Sequence, residues 1–186
     1  ERDAALFAVE TLPDPSGDHL RLYYGAFFRD DPTRNALCMA TSTDGRAWTK
    51  PDLGDGTNVV LRATPNAMTW GQFMPTTILY TEDDPDPAQR WKLLLWDRPE
   101  PNRPPGICLA TSPDGIRWQR RLGRPIITGA NDAMAMISAR TDVATPLRQG
   151  PFFIYQQTWR YNPTLPTARD NLKGMHRRIA IWACTT

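Results

Sequence analysis

The sequence predicts an all-β fold of repeated antiparallel sheets, and an internal repeat is the main observation behind this prediction. Segments 36–48 and 106–118 both run from a short apolar stretch into Thr-Ser-x-Asp-Gly-x-x-Trp, and their aspartates, Asp44 and Asp114, stand 70 residues apart. Segment 178–186 begins the same pattern a third time. A fixed period of this size, with each copy a strand followed by a turn, is typical of β-propeller blades. We therefore expect two whole blades and most of a third.

The composition supports short strands joined by shaped loops. The 186 residues include 18 prolines and 7 tryptophans, a mixture that argues against long helices. The net charge is +2 and the basic residues form no stripe of the kind that nucleic acid requires. No apolar run is long enough to span a bilayer. We expect neither a nucleic-acid nor a membrane partner, and since the chain begins at Glu1 the sequence leaves its compartment open.

The three cysteines are predicted to be buried thiols. Cys38 and Cys108 occupy the same repeat position, and Cys184 lies two residues further along its copy. Equivalent positions in successive blades belong to different sheets, which argues against disulfides. The odd number and the absence of a Cys-x-x-Cys spacing argue against a metal site.

Alignment of the chain with itself divides it into units at about 3–50, 72–120 and 132–186, the last incomplete, within one partial domain over 1–186. Each unit is predicted to hold four short strands bounded by Pro, Gly, Asp and Asn. The first unit has strands near 4–9, 20–27 and 36–42, and a short closing strand from Trp48. The second has strands near 74–80, 90–96 and 106–112, and the third near 132–138, 151–157 and 179–185. Polar, Pro-rich segments 98–105 and 161–173 are long enough to reach over a face, and no helix is predicted.

The repeated Asp-Gly turns have a structural explanation. In such a turn the Asp44 or Asp114 side chain accepts hydrogen bonds from its own downstream backbone, and the following glycine takes a positive φ. Trp48 and Trp118 are then expected to fold back between adjacent sheets. These residues identify the fold and are not expected to do chemistry.

The turn series, together with Lys-Pro-Asp-Leu-Gly at 50–54 and Asn-Val-Val-Leu at 58–61, resembles the five-bladed propeller glycoside hydrolases. This superfamily includes families 32 and 43, and the likeness is strongest to its sucrase-like bacterial branch. The Asp-Pro-rich turn and Arg-Trp-Lys at 84–92, and Pro-Ile-Ile at 125–127, are similar to that branch as well. The turn also resembles the Asp box of sialidases, which has an extra residue between Asp and Gly. The resemblance covers essentially the whole chain and implies about three four-stranded blades of a five-bladed propeller.

The resemblance implies carboxylates that project into a funnel at the propeller axis from the starts of the innermost strands. Glycoside cleavage requires a proton donor and a nucleophile or base. By the self-alignment the axial positions are Asp3, segment 72–74 and Asp132, so Asp132 and Asp3 are the catalytic candidates. A solvated loop carboxylate is the alternative for Asp132, and a frayed chain end for Asp3. The second unit has no carboxylate at its matching position, and Asp142 ends its strand too far from Asp132 to share a sugar.

Aromatic and basic side chains near the loops are candidates for substrate binding. Trp70, Trp159 and Tyr161 would stack on sugar faces, and Arg177, next to Arg178, would meet a sugar carboxylate or sulfate. Rim packing and a solvated arginine pair are the alternatives.

No cofactor or metal is predicted from the sequence. The acidic turn at 82–86 is more typical of a solvated turn than of a calcium site. His19 and His176 are isolated in the sequence, so that neither a zinc site nor a histidine triad can be argued.

Two functions from different classes fit the sequence. The first is a glycoside hydrolase that acts on an oligosaccharide or furanoside through axial carboxylates, with a carbohydrate as its partner. The alternative is a non-catalytic propeller that binds glycans or proteins and shares only the scaffold. A third possibility is an incomplete product without activity, because an open arc of three blades leaves sheet faces uncovered. The sequence determines neither the oligomeric state nor the sugar.

Overall fold

The computed structural model describes residues 4–67, 73–121, 124–128, 131–139, 152–164 and 174–184. Within these ranges the chain forms eleven β-strands and two short 3-10 turns, with no α-helix, which confirms the all-β prediction. None of the described segments is a helix able to cross a membrane. The strands are β1 (Ala5–Pro13), β2 (Leu20–Phe27), β3 (Ala36–Ser42), β4 (Val59–Arg62), β5 (Met74–Tyr80), β6 (Trp91–Asp97), β7 (Gly106–Ser112), β8 (Gln119–Arg120), β9 (Asn131–Ala139), β10 (Phe152–Tyr161) and β11 (Met175–Cys184).

The strands form three consecutive antiparallel sheets, each joined in chain order as a meander. Sheet 1 holds β1 to β4, sheet 2 holds β5 to β8, and sheet 3 holds β9 to β11. The first strand of sheet 2, β5, contacts both β1 and β9, which are the first strands of its neighbours. The first strands therefore lie together at the inner side of the arrangement, and later strands lie further out.

The fourth strand of sheet 1 lies later in the chain than the sequence predicted. At the predicted position, next to Trp48, only Thr49 forms a single bridge with Thr41. The chain then makes local turns in which Asp52 Oδ1 accepts hydrogen bonds from Gly54 N and Gly56 N, each at 2.9 Å. Such Asx turns compete with strand pairing. The β-branched run that follows, Val59–Arg62, pairs with β3 instead.

The core consists of two apolar layers on opposite faces of sheet 2. Between sheets 1 and 2, the buried residues are Tyr23, Leu37, Met39, Val60, Leu61, Phe73, Ile78, Trp91, Leu93, Leu95, Cys108, Ala110 and Trp118. Between sheets 2 and 3, they are Leu94, Ile107, Leu109, Ile127, Ile137, Phe152 and Ile154. The alternation of Leu93, Leu94 and Leu95 between the two layers follows the period of two in a strand that is covered on both faces.

The Asp-Gly turns have the predicted geometry. Asp114 Oδ1 accepts hydrogen bonds from Ile116 N at 2.9 Å and Arg117 N at 2.8 Å, and Gly115 has φ +74°. The turn at Asp44 repeats these bonds, and Gly45 has φ +71°. Trp118 lies between sheets 1 and 2, where its ring meets Tyr23 edge to face at 6.4 Å. Trp48 is half-buried and packs on the face of sheet 1 that lies away from sheet 2.

Cys38 and Cys108 are buried thiols that form no disulfide, as predicted. Burial raises the pKa of the Cys108 thiol to about 12, and the nearby Asp97 carboxylate adds to this shift. A thiol in this environment behaves as a small apolar side chain. The Cys184 side chain lies outside the described residues.

Candidate functional site

Contacts between neighbouring sheets show that the three sheets are aligned end to end. We call the end that holds the Asp44 and Asp114 turns the lower end. There, Arg21 of sheet 1 donates a hydrogen bond to the Asp114 carbonyl of sheet 2. At the opposite, upper end, Thr64 Oγ1 donates to the Arg98 carbonyl at 3.0 Å. Strands β1, β5 and β9 all begin at the upper end, as their pairing with the second strands shows.

A buried ion pair joins sheet 1 to sheet 2 at the lower end. Arg21 pairs with Asp14, which is 6% exposed, and the Arg21 guanidinium lies 5.3 Å from the centre of the Trp91 ring. Burial opposes ionisation of Asp14, but hydrogen bonds from Ser16 and the Arg21 charge lower its pKa below the ordinary value. His19 Nε2 lies 3.4 Å from the same carboxylate, so this histidine has a partner that the sequence did not indicate.

Sheet 2 repeats this device toward sheet 3. Lys92 is 2% exposed and pairs with Asp84, while its Nζ lies 4.9 Å from the centre of the Phe152 ring of sheet 3. Lys92 also donates to the Gln89 carbonyl at 2.6 Å. Burial opposes ionisation of Asp84, but its hydrogen bond from Lys92 lowers its pKa. This carboxylate, in the acidic turn considered for calcium, binds a lysine of the same sheet.

A second buried carboxylate lies at the upper end of sheet 2. Asp97 ends β6, is fully buried, and accepts a hydrogen bond from Arg120 Nε at 2.8 Å. Arg120 also donates to the Arg62 carbonyl of sheet 1, and its guanidinium lies 5.2 Å from the centre of the Phe73 ring. Phe73 immediately precedes β5 and has φ +58°. The carboxylate that sheet 2 brings to the upper end is thus held in an ion pair that ties two sheets together.

One signal for these ion pairs is present in the sequence, although the sequence reasoning missed it. Arg21 and Lys92 each stand second in the second strand of their unit, between apolar residues, and each follows an Asp-containing turn. A charged residue repeated inside a buried strand indicates a buried partner, because an unpaired charge is costly there. Asp97, which closes the apolar run of β6, is a similar case.

Of the two catalytic candidates, Asp132 lies within the described backbone. It is the second residue of β9, at the upper end of sheet 3, and its neighbour Asn131 pairs with Thr158 of β10. Its side chain is outside the described residues. Asp3 and Trp70 also lie outside them, as does Asp142.

The two other predicted binding residues are brought together at the upper end of sheet 3. Trp159 and Arg177 face each other across β10 and β11, and the Arg177 guanidinium lies 4.8 Å from the centre of the Trp159 ring. Tyr161, two residues beyond Trp159, is 67% exposed. Since Asn131 pairs with Thr158, the backbone of Asp132 belongs to the same end of the sheet.

Two cavities lie along the face of sheet 1 that is directed away from sheet 2. One, of about 620 Å³, is lined by apolar and charged residues that include Phe28, Arg34, Asn58 and Arg62. The other, of about 340 Å³, is mostly apolar and includes Leu22, Tyr24 and Trp48. Within the part of the chain that the structure describes, no group of three or more His, Cys, Asp or Glu residues is arranged to hold a metal ion.

Comparison with solved structures supports this architecture. The chain is similar to a structure described as a glycoside hydrolase, with a TM-score of 0.56 and 11% sequence identity over 97% of this chain and 54% of that one. It is also similar to a structure described as a complex of BT0996 and RGII, with a TM-score of 0.53 and 11% identity over 95% of this chain and 53% of that one. The chain therefore spans about half the length of each of these structures. No family model and no curated protein sequence matches it.

Proposed function

We propose that this chain is part of a five-bladed β-propeller glycoside hydrolase that acts on an oligosaccharide or furanoside at the upper end of its sheets. The observation that carries the proposal is the position of Asp132. It lies at the start of an inner strand, in a sheet whose upper end also presents Trp159 and Arg177. A carboxylate beside an aromatic surface is the combination that glycoside cleavage requires.

The fold and the comparisons give this proposal its general support. Three successive meander sheets, with their first strands in contact, are compatible with blades around an axis. One of the similar structures is described as a glycoside hydrolase. In the proposed reaction Asp132 acts as the base or nucleophile at the anomeric carbon, and Asp3 is the second carboxylate candidate. The chain spans about half of that structure, so further catalytic groups are expected from other blades.

A non-catalytic propeller that binds glycans is the second candidate, and Asp97 is the observation that favours it. Sheet 2 brings a carboxylate to the upper end, but that carboxylate is fully buried and paired with Arg120. Such a group is held ionised for structure and is poorly placed to transfer protons. If the other blades also lack a free carboxylate, binding would be retained without hydrolysis.

The test is the substitution Asp132→Asn, with Asp83→Asn as a matched control on an exposed turn. The wild type and both variants would be titrated by calorimetry with a panel of neutral and acidic oligosaccharides and furanosides, and incubated with the ligands that bind. The enzyme proposal expects hydrolysis by the longest natural form of the chain, and loss of at least a hundredfold in rate with Asp132→Asn. Binding by all three proteins without hydrolysis would favour the non-catalytic candidate, and absence of binding by the folded chain would contradict both.

A further inference from the structure

The upper end of sheet 3 carries a compact surface that we call the Trp-Arg face, formed by Trp159, Tyr161 and Arg177. The pairing of β10 with β11 is unbroken from Phe152↔Cys184 to Tyr161↔Met175. Residues directly opposite in an antiparallel pair, and those two positions further along, share one face of the sheet. The three side chains of the Trp-Arg face therefore lie on the same side.

Both aromatic rings of the Trp-Arg face are held in place. The Trp159 ring is stacked with the Arg177 guanidinium at 4.8 Å, which limits the motion of both groups. The Tyr161 ring lies against Gly174, where an added Cβ would come within 2.7 Å of Tyr161 Cε2. Tyr161 is nevertheless 67% exposed, so one side of its ring is open to a ligand. Two fixed aromatic side chains about 7 Å apart along one strand provide a stacking surface.

The charge of this part of the sheet is strongly positive. Strands β10 and β11 contain no Asp or Glu, whereas they contain Arg160, Arg177 and Arg178. By the strand register Arg177 lies on the Trp-Arg face, while Arg160 and Arg178 alternate onto the opposite side. A guanidinium whose flat face is stacked on an aromatic ring directs its N–H groups along its edge, where they match a planar, bidentate acceptor such as a carboxylate.

We propose that the Trp-Arg face binds a uronic acid residue of an oligosaccharide, with Arg177 on the sugar carboxylate and Trp159 and Tyr161 against the apolar side of the ring. This inference deepens the proposed function and rests on it. Asn131 pairs with Thr158, which precedes Trp159, so the bound acidic sugar would lie beside the start of β9 and Asp132. Arg177 would offset the repulsion between the two carboxylates.

The test compares acidic oligosaccharides with neutral counterparts of the same shape. The probes are a trigalacturonate and a triglucuronate, each alongside the compound in which the carboxylates have been reduced to primary alcohols. They would be titrated by calorimetry into the whole chain and its variants. Arg177→Ala removes the proposed carboxylate partner, and Arg177→Lys keeps the charge without the fork. Trp159→Ala removes the stacking ring, and Arg178→Ala is the matched control on the other face.

We expect at least one acid to bind about tenfold or more tightly than its reduced counterpart, since a charge-assisted pair contributes on that scale. Arg177→Ala should abolish that difference, Arg177→Lys should restore part of it, and Arg178→Ala should leave it unchanged. Trp159→Ala should weaken the acid and its counterpart together.

If both forms bind equally to a folded chain, or if Arg177→Ala changes nothing, the uronate assignment is wrong while the glycan function stands. If Arg178→Ala has the same effect as Arg177→Ala, binding reflects general positive charge and the assignment is also wrong. Binding of other glycans without any affinity for either acid has the same consequence. Failure of the whole oligosaccharide panel would instead contradict the proposed function itself.

Discussion

Asp44 and Asp114 hold the same turn, but only Asp114 is part of a contact between sheets. Its carbonyl accepts a hydrogen bond from Arg21, and the next carbonyl, of Gly115, accepts one from Tyr23 Oη at 3.1 Å. Burial opposes ionisation of Asp114, but the N–H groups of Arg117 and Ile116 and the Arg117 side chain lower its pKa to about 2. A carboxylate with a lowered pKa stabilises the folded state only while it is ionised.

Replacement of Asp114 by Asn is expected to remove a pH-dependent part of the stability. The amide oxygen still accepts the backbone hydrogen bonds, so the variant loses mainly the charge. The folded pKa lies below the ordinary value of 3.8, so this stabilisation is present above about pH 4 and is lost as the pH falls toward 2. The deficit at pH 7 should be at most about 2 kcal/mol, since Asp114 is partly exposed.

Urea unfolding followed by tryptophan fluorescence at pH 7, 4 and 2.5 would measure this effect. The difference between wild type and Asp114→Asn should shrink across that range, while Asp83→Asn, on an exposed turn, serves as the control. A deficit that stays constant with pH would contradict the role assigned to the charge.

At the scale of elements, the two Asp-Gly turns provide a matched pair for measuring the contact between sheets. Both glycines have a positive φ, but their surroundings differ. An added Cβ at Gly45 would have only Leu20 Cδ1 nearby, at 3.5 Å. An added Cβ at Gly115 would collide with Tyr23 Oη and would lie 3.0 Å from Arg21 Nη1 and 3.1 Å from Trp91 Cδ2. The lower-end turn of sheet 2 is thus packed tightly against sheet 1.

Alanine at each glycine separates backbone strain from this packing. Gly45→Ala should lower the free energy of unfolding by about 1 kcal/mol, the cost of a left-handed alanine. Gly115→Ala should cost about 1–3 kcal/mol more, because Tyr23 and its neighbours must move. Chemical denaturation of the two variants measures the difference. Equal losses would mean that the turn of sheet 2 does not need its close contact with sheet 1.

The elements show which features the sequence could predict. The Asp-Gly turns depend on chemistry within four or five residues, and their prediction is confirmed in detail. The position of β4 depends on a choice between Thr49 and Val59–Arg62 as partners of β3, which local propensity does not decide. The pairs Arg21–Asp14 and Asp97–Arg120 were missed because each also contacts a neighbouring sheet. At the candidate site, Trp159 and Arg177 were named separately, and only the strand register brings them together.

At the scale of the molecule, two apolar faces stand at opposite ends of the three-sheet arc. The first, on sheet 1, holds Trp48 beside the cavity of about 340 Å³. The second, on sheet 3, presents Tyr155, Ile179 and Ile181, whose exposed fractions are 40%, 69% and 50%. Trp48 occupies the repeat position of Trp118, which in sheet 2 is packed against sheet 1. The first face therefore belongs to the kind that another sheet covers inside this molecule.

Exposed faces of complementary kind on one chain lead us to expect self-association, face to face and head to tail. Ile181→Lys places a charge in the middle of the second face and should reduce association at least tenfold, because an unpaired charge is costly in an apolar contact. Ile126, which is 40% exposed and lies outside both faces, gives the matched control Ile126→Lys. Sedimentation velocity from about 1 to 100 µM would compare the three proteins. A wild-type chain that is folded and monomeric throughout, or equal association of all three, would show that these faces do not bind each other.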